Sequence, residues 1–525
     1  MTSIPIPAPL PYRASRTRTD LFAALLRASR EFGKGKVIVI DGDGRKLTYK
    51  EIIQGSFGLG SALAAKTKAG ESVGVMLPTG AGAVVGFYAL SAYNRVPAML
   101  NFTAGSRNLK AAMRAAEITK IITARRFVEL GGLEGLIDEL SDSAEIIYLE
   151  DVREKLSLKD KLAGLIGPVA PGLIRRPARY KSPGVVLFTS GTEGEPKGVV
   201  LSHENVMANV EQVRAHIGLS TETDKLFNPL PTFHCFGLTV GAVLPLIAGI
   251  PVVFHPSPLQ PREIVKRIRA TASTILLATD TFISQYARVG ADGDMSSIRL
   301  AVCGAERVKD ETRSLVRRKF EIEILEGYGA TEASPVVAAN QWERNKPGTV
   351  GLLMADMEYR LLPVDGIPDG GRLHIKGPNI MLGYLRPSAP GVLERPDGGW
   401  HDTGDVVVVD EEGFIRIMGR VKRFAKIGGE MVSLAVVENC ASAIWPDHLH
   451  AAVAMPDPRK GEQIILLSDC PDCNRDEIVA WAQSHGVPEI SVPRRVYHVD
   501  DIPVLGTGKV DYGAVQKKAV DLVEA

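Results

Sequence analysis

The chain is poor in cysteine, with five in 525 residues. That is too few for a disulfide framework. Cys470 and Cys473 stand close together in "CPDC". A zinc site needs two further ligands, and no second Cys or His pair follows at a suitable spacing. No thioredoxin-like context surrounds them, so incidental surface cysteines in a reducing cytosol are expected. Charge bias is missing too: 62 Lys+Arg stand against 61 Asp+Glu, net +1. Nothing global therefore argues for a nucleic acid or an acidic partner. The N-terminus, "MTSIPIPAPLPYRASRTRTD", lacks the unbroken apolar stretch of a signal peptide. A membrane-spanning run is also absent. The longest stretch without Asp, Glu, Lys or Arg runs from Leu226 to Pro261, but Pro229, Pro231, Pro245, Pro251, Pro256 and Pro258 punctuate it. A spanning helix wants about 20 apolar residues in regular helix. A buried loop, helix and strand is expected there, and peripheral contact with a membrane stays open.

What is present is the composition of a soluble globular protein, 45% hydrophobic and 23% charged. The length favours two or more domains. Short β-branched runs alternate with helical patterns. "SVGVML" reads as a strand, "GAVVGFYALSAY" as a helix and "RVPAML" as a strand; "GIPVVF", "PREIVKRIRATA" and "STILLAT" repeat the scheme, as do "IRLAVCG", "KDETRSLVRRKF" and "EIEILEGYG". Such alternation predicts an α/β fold, with mostly parallel sheets covered by helices.

After about residue 350 the texture changes. "MEYRLLP", "GRLHIKG", "DVVVVD" and "GFIRIMG" are short runs split by Gly, Asp and Pro, which predicts a small antiparallel β unit. Past Arg420 a small α+β domain of about 100 residues is expected. The boundary is placed in "GRVKRF", giving a large domain over 1–421 and a small one over 422–525. Residues 423–525 carry 10 Lys+Arg and 15 Asp+Glu, net −5, which leaves 52 against 46, net +6, for the rest.

The segment with most chemistry is "TSGTEGEPKG", Thr189 to Gly198. A nucleotide-hydrolysing P-loop has the form G-x-x-x-x-G-K-[ST], following a strand and opening a helix. Here Lys197 is followed by Gly198, and "VVLSH" reads as a second strand. The loop is expected to join two strands as a hairpin. Its glycines and hydroxyls can still surround phosphate with N–H and O–H donors, although a plain Gly-rich linker has the same composition.

Four more segments fall in register with it: "GYGATE" (327–332), "HDTGD" (401–405), "GRVKRFAKIGGE" (419–430) and "LGTGK" (505–509). Together these resemble the adenylate-forming superfamily of acyl-CoA synthetases, luciferases and adenylation domains, over essentially the whole chain. "KGPNIMLGYLRP", "GWHDTGD", "RFAKIGGEMVSL", "HGVPE" and "GTGKVD" are similar to the acyl-[acyl carrier protein] synthetase half of the bacterial bifunctional acyltransferase/synthetase. The acyltransferase half has no counterpart, so a stand-alone cytoplasmic ligase is expected.

The resemblance implies ATP as co-substrate, Mg²⁺ as cofactor, a long-chain fatty acid as substrate, and holo-acyl carrier protein as acceptor, with CoA the alternative. It assigns Thr189, Ser190, Gly191, Thr192, Glu193, Gly194 and Lys197 to the phosphate loop. Thr331 contacts the α-phosphate and Glu332 holds Mg²⁺, a hard cation that wants carboxylate oxygen. Gly304, Ala305 and Glu306 form the adenine-side loop, and Gly327 and Tyr328 line the adenine and acyl pockets. Asp405 accepts the ribose hydroxyls with Arg420 assisting, since a carboxylate offers two acceptor oxygens. Lys509 is the adenylation lysine, a mobile point cation. His234 lies beside the acyl site. Lys422 is the hinge between domains, and Gly428, Gly429 and Glu430 form the face used for thiolation.

Two features depart from the pattern. Arg423 follows the hinge where an acidic residue is common, and Glu193 and Glu195 sit in a loop meant for polyphosphate. An acidic carrier protein needs a basic docking face. The small domain is net acidic, with the local pairs Arg459–Lys460 and Arg494–Arg495 as a candidate patch. A luciferase-like oxygenase shares the fold. A catalytically dead lipid-binding homologue is disfavoured because Lys509, Glu332 and Asp405 are all present.

Overall fold

The computed structural model describes residues 7–189, 196–364, 367–427, 430–504 and 510–524. Among them the chain forms two compact units. The first comprises 7–189, 196–357 and 376–399, and the second the remainder.

The first unit holds two large sheets. One has nine strands, and its centre, Glu323–Gly329, Leu300–Cys303, Ile275–Ala278, Leu226–Asn228, Val252–Phe254 and Val37–Ile40, is parallel throughout. Ile275–Ala278 and Val252–Phe254 are buried along their whole length. Both faces are covered by helices, so these strands read as continuous apolar runs instead of alternating ones. The other sheet has eight strands. Pro183–Thr189, Val96–Met99, Ser72–Val75, Lys120–Thr123 and Glu145–Tyr148 run parallel, and Lys197–Ser202 and Gly383–Arg386 join antiparallel at one side. The expected helices form over Ala81–Ala92, Pro261–Thr271 and Asp310–Phe320. The α/β expectation holds.

The uncharged stretch from Leu226 is interior as far as His255. Its strands Leu226–Asn228 and Val252–Phe254 lie mid-sheet, and between them a π-helix, Phe236–Val243, runs into the α-helix Leu244–Ala248. Single π-helical turns often mark functional positions. Among the described residues no helix is long and apolar enough to cross a membrane.

The second unit holds two antiparallel-rich sheets. Glu358–Val364, Ile367–Lys376, His401–Val409 and Ile415–Arg420 form one. Glu430–Ser433, Phe424–Ile427, Gly461–Ser468 and His450–Asp457 form the other, and Arg495–His498 joins Gly461–Ser468 in parallel. Helices Leu434–Ile444 and Arg475–Ser484 pack on the latter through Val437, Ala441, Ile478 and Ala482. Cys470 and Cys473 are not surface residues. Cys470 is buried just past the strand Gly461–Ser468, its N–H donating to Ser468 Oγ at 3.1 Å, and Cys473 is half-buried.

Candidate active site

The hairpin reading of the glycine-rich loop holds. Pro183–Thr189 pairs antiparallel with Lys197–Ser202, in a register that sets Thr189 opposite Lys197 and Phe188 opposite Gly198. Ser190, Gly191, Thr192, Glu193 and Gly194 lie outside the described residues. Gly383–Arg386 pairs with the far side of Lys197–Ser202 and sets Tyr384 opposite Val199. The Lys197 ammonium sits 5.3 Å from the centre of the Tyr384 ring. The Tyr384 hydroxyl donates to Glu332 Oε1 at 2.7 Å. One tyrosine thus bridges the loop lysine and the acidic residue of "GYGATE".

Thr331 and Glu332 lie on a 3₁₀ turn, Thr331–Ala333, just past the strand Glu323–Gly329. A buried amide network holds that turn. Asn379 Nδ2 donates to Ala333 O at 2.8 Å, Ser334 Oγ donates to Asn379 O at 2.8 Å, and Met381 N donates to Glu332 O at 2.8 Å. From helix His203–His216, Asn209 brackets Val336, accepting from its N–H at 3.1 Å and donating to its carbonyl at 2.8 Å. Gln212 Nε2 adds a bond to Ala355 O at 2.7 Å. The helix is itself fixed by a capping box between Ser202 and Asn205. Buried amides leave no slack when satisfied, so Glu332 is set on a rigid support.

The residues that the resemblance assigns to the adenine side converge on the same strand end. A Cβ placed on Gly304 lies 3.5 Å from both the Phe236 ring and the Gly327 carbonyl oxygen. Ala305 holds φ of 70°, the left-handed region that non-glycine residues seldom occupy. Glu306 has a positioning role: its Oε2 accepts from Thr281 N at 3.0 Å and Thr281 Oγ1 at 2.9 Å, at the start of helix Asp280–Val289. The loop is pinned further by Asp280, which accepts Lys309 N at 3.0 Å, and by Glu326, which accepts Val308 N at 3.1 Å. Burial raises both carboxyls above the usual range. Tyr328 is buried within the strand and sits opposite Ala338.

His234 is half-buried, its ring 5.2 Å from that of Phe233. Its backbone is fixed on both sides. His234 N donates to Pro231 O at 3.1 Å, and Leu238 N donates to His234 O at 2.9 Å. The next residue, Cys235, is fully buried. Burial pushes its thiol up to about 12, and the charge of Glu332 adds to the shift.

The second unit carries its own group. Asp405 is buried on His401–Val409, directly opposite Arg420, whose Nε donates to Asp405 Oδ1 at 3.1 Å. Lys422 lies in the turn Val421–Arg423. Arg423 is not a free charge: Nη1 donates to Ala452 O at 2.6 Å, Nη2 to Glu438 Oε1 at 2.5 Å, and its guanidinium stacks 3.5 Å from the Tyr512 ring. The Tyr512 hydroxyl donates to Glu438 Oε2 at 3.2 Å. This half-buried cluster stands at the position after the hinge where the resemblance leads one to expect an acidic residue. Glu430 is exposed at the start of its strand. Gly428, Gly429 and Lys509 lie outside the described residues.

Several supporting residues escape a reading of the sequence. The motif "KGPNIMLGYLRP" marks the segment, but nothing in its spacing shows that Tyr384 reaches Glu332 or that Asn379 reaches Ala333. Asn209 and Gln212 have the i, i+3 spacing of one helix face, which a solvated helix shares.

Among the described residues no trio of His, Cys, Asp and Glu is grouped to hold a metal ion. Glu332 offers a single carboxylate. That donor set fits Mg²⁺, which is commonly bound by one or two carboxylates together with substrate phosphates and water.

A family profile described as "AMP-binding enzyme" matches residues 25–385. The chain belongs to this family of AMP-binding enzymes. It is similar to a feruloyl-CoA synthase of an Amycolatopsis species, 29% identical over 64% of this chain and 69% of that one. It is also similar to a long-chain-fatty-acid–CoA ligase of Bacillus subtilis, 26% identical over 89% of each chain. A long-chain-fatty-acid–CoA ligase of Escherichia coli O6:H1 is 30% identical over 62% of this chain, which spans 59% of that ligase. In fold it resembles ATP-bound MatB from Rhodopseudomonas palustris, with TM-score 0.81 and 22% identity over 96% of this chain and 99% of the other.

Proposed function

We propose that this enzyme couples a long-chain fatty acid to ATP as acyl-AMP, with release of pyrophosphate, and then transfers the acyl group to the phosphopantetheine thiol of acyl carrier protein in the cytoplasm. A carboxylate is a poor electrophile, and adenylation supplies it with a leaving group. In the first step a carboxylate oxygen attacks the α-phosphorus and pyrophosphate departs. In the second the thiol sulfur attacks the acyl carbonyl carbon and AMP departs. The first step brings two anions together, so the site must supply positive charge where negative charge builds.

The observation that carries this reading is the bridge Lys197–Tyr384–Glu332 at the mouth of the hairpin. It holds a cation and a carboxylate within reach of one polyphosphate. In this reading Lys197, Thr189 and residues 190–194 grip the β- and γ-phosphates, and Thr331 contacts the α-phosphate. Glu332 holds Mg²⁺, which when bound neutralises phosphate charge. Gly304, Ala305, Gly327 and Tyr328 enclose adenine, and Glu306 fixes their loop from behind. Asp405 accepts the ribose hydroxyls while Arg420 orients it. His234 borders the acyl chain. Lys509 bridges the substrate carboxylate and the ATP oxygen. Rotation at Lys422 then presents Gly428, Gly429 and Glu430 for thiolation.

Support for a carrier protein comes from the second unit. Asp457 links the Arg459–Lys460 turn to Arg494: its Oδ1 accepts Arg459 N and Lys460 N, each at 2.9 Å, and Oδ2 accepts from Arg494. Arg459, Lys460 and Arg495 are exposed cations inside a net-acidic segment, with Arg494 paired to Asp457, and they offer local positive charge to an acidic partner. CoA as acceptor is the second reading, favoured by the relatives named CoA ligases.

The test is fatty-acid-dependent exchange of pyrophosphate into ATP, run on wild type and Lys509→Gln. Exchange is expected in the first and loss in the second. Full exchange in the variant removes the role given to Lys509, and no exchange in wild type removes the adenylation reading.

A further inference from the structure

Helix Leu158–Ile166 is amphipathic in the wrong sense for a surface helix. Such helices normally bury their large apolar residues and expose polar ones. Here the buried positions are Asp160, Ala163 and Gly164, while Leu158, Leu162, Leu165 and Ile166 are 75, 44, 61 and 39% exposed. Val169 and Leu173, just beyond the helix, are 79 and 80% exposed.

The arrangement is built in by close packing. A Cβ on Gly164 lies 3.2 Å from the Gln54 carbonyl oxygen, and one on Gly167 lies 2.2 Å from the Phe57 ring. The helix rests on Tyr49–Lys66 through its glycines, so a larger side chain cannot turn inward there. Asp160 spends its charge on the Ser157 cap, accepting from Ser157 N at 3.0 Å and Ser157 Oγ at 2.6 Å. At about 100° per residue, Leu158, Leu162 and Leu165 fall within roughly 60° of arc, with Lys159 on one flank and Lys161 on the other.

Charge is concentrated on the same segment. Residues 153–181 hold 8 Lys+Arg and 2 Asp+Glu, net +6, in a chain whose total is +1. Lys155, Lys159, Lys161, Arg176, Arg179 and Lys181 are exposed, whereas Arg175 is paired with Asp20. A leucine ridge bordered by long cationic side chains matches a bilayer interface. The apolar ridge enters the acyl boundary, and lysine heads reach back to anionic headgroups. A second copy of this chain is a poor cover, because it sets net +6 against net +6.

We propose that residues 158–173 form an interfacial anchor that seats this enzyme on anionic lipid membranes. The proposal does not rest on the acyl acceptor or on the adenylation chemistry. It differs from the uncharged stretch that starts at Leu226, which is interior as far as His255.

The test is flotation of the full chain with vesicles of phosphatidylcholine alone and of phosphatidylcholine mixed with phosphatidylglycerol. Wild type is expected to float with the anionic vesicles and to release as salt rises. Leu158→Ser/Leu162→Ser/Leu165→Ser should lose binding at least about tenfold, because the apolar area is gone. Lys159→Ala/Lys161→Ala should lose roughly fivefold per charge on anionic vesicles and nothing on neutral ones. Pyrophosphate exchange with a short water-soluble acid and the thermal midpoint should stay at wild-type values in both, because the altered side chains face solvent. Should the leucine variant fail to fold, the lysine variant decides alone. Wild type that floats with neither vesicle, or variants that float as well as wild type, would overturn the proposal. So would a wild-type dimer that the leucine substitutions dissolve, since a second copy would then be the cover.

Discussion

Tyr384 joins the two charges of the candidate site, its hydroxyl 2.7 Å from Glu332 Oε1 and its ring 5.3 Å from the Lys197 ammonium. Burial and the Glu332 charge both raise its phenol well above the ordinary value, so it remains a donor across the working range. Tyr384→Phe keeps the ring and removes the donor. A hydrogen bond to a charged group contributes about 1.5–3 kcal/mol. The variant is expected to need about tenfold more Mg-ATP for half-maximal pyrophosphate exchange, with little change in thermal midpoint. An unchanged magnesium and ATP response would remove the tyrosine from the site.

Two glycines near the proposed adenine wall should respond differently. The neighbours of a Cβ at Gly304 lie at 3.5 Å, an ordinary contact. Gly304→Ala should therefore fold normally and bind ATP more weakly, read as a raised KM at constant midpoint. At Gly237 the Cβ would lie 2.2 Å from the Pro231 carbonyl oxygen. Backbone cannot yield cheaply, and such overpacking costs about 1–3 kcal/mol or more. Gly237→Ala should lower the unfolding midpoint. A Gly304→Ala variant with unaltered KM for ATP would contradict the adenine assignment.

The exposed cations Arg459 and Arg495 separate the two acceptors. Arg459→Glu and Arg495→Glu reverse exposed charges without touching the adenylation groups. They are expected to raise the KM for holo-acyl carrier protein about tenfold, steeply dependent on salt, and to leave pyrophosphate exchange unchanged. Equal activity with the carrier protein would place its docking surface elsewhere.

His203 predicts a pH dependence of stability. Leu21 N–H donates to His203 Nδ1 at 3.3 Å, so that nitrogen is unprotonated. Burial pushes the imidazole down to about 4, with Arg175 acting in the same direction and Asp20 opposing. The folded value lies below the ordinary 6.5, so on acidification the unfolded chain takes up the proton first. Stability is thus fully present above about pH 6.5 and is lost as pH falls towards about 4. His216 and His255 are shifted the same way by burial, while the raised carboxyls of Asp280, Glu326 and Glu438 pull oppositely. The clean readout is therefore the difference between wild type and His203→Gln. That gap in thermal midpoint should narrow on acidification from about pH 7 to about pH 5, and a gap that widens would contradict the buried neutral histidine.

Local patterning carried most of the fold. "STILLAT" and "PREIVKRIRATA" announced a buried strand and an amphipathic helix because each segment's period matches the surface it covers. The missing hydroxyl after Lys197 correctly excluded a P-loop, since a second strand follows. What stayed hidden depends on contacts distant in sequence. Tyr384 lies in the eight-stranded sheet and Glu332 just past a strand of the nine-stranded one, so only tertiary packing brings them together, and the amide network beneath Glu332 draws on two separate segments. Nothing in the spacing of Leu158–Ile166 shows which side faces inward, and only the close contacts at Gly164 and Gly167 do. The cysteines of "CPDC" looked superficial because their spacing says nothing about the strand end that covers Cys470.

The most direct measurement is of thioester product. The protein is incubated with Mg-ATP and a long-chain fatty acid, with holo-acyl carrier protein in one sample and CoA in another, and the products are weighed by mass spectrometry. The account predicts a carrier protein heavier by the acyl group, with AMP and pyrophosphate released and CoA unmodified. Acyl-CoA with an unmodified carrier protein would contradict the acceptor, and an absence of both acyl-AMP and thioester would contradict the central claim.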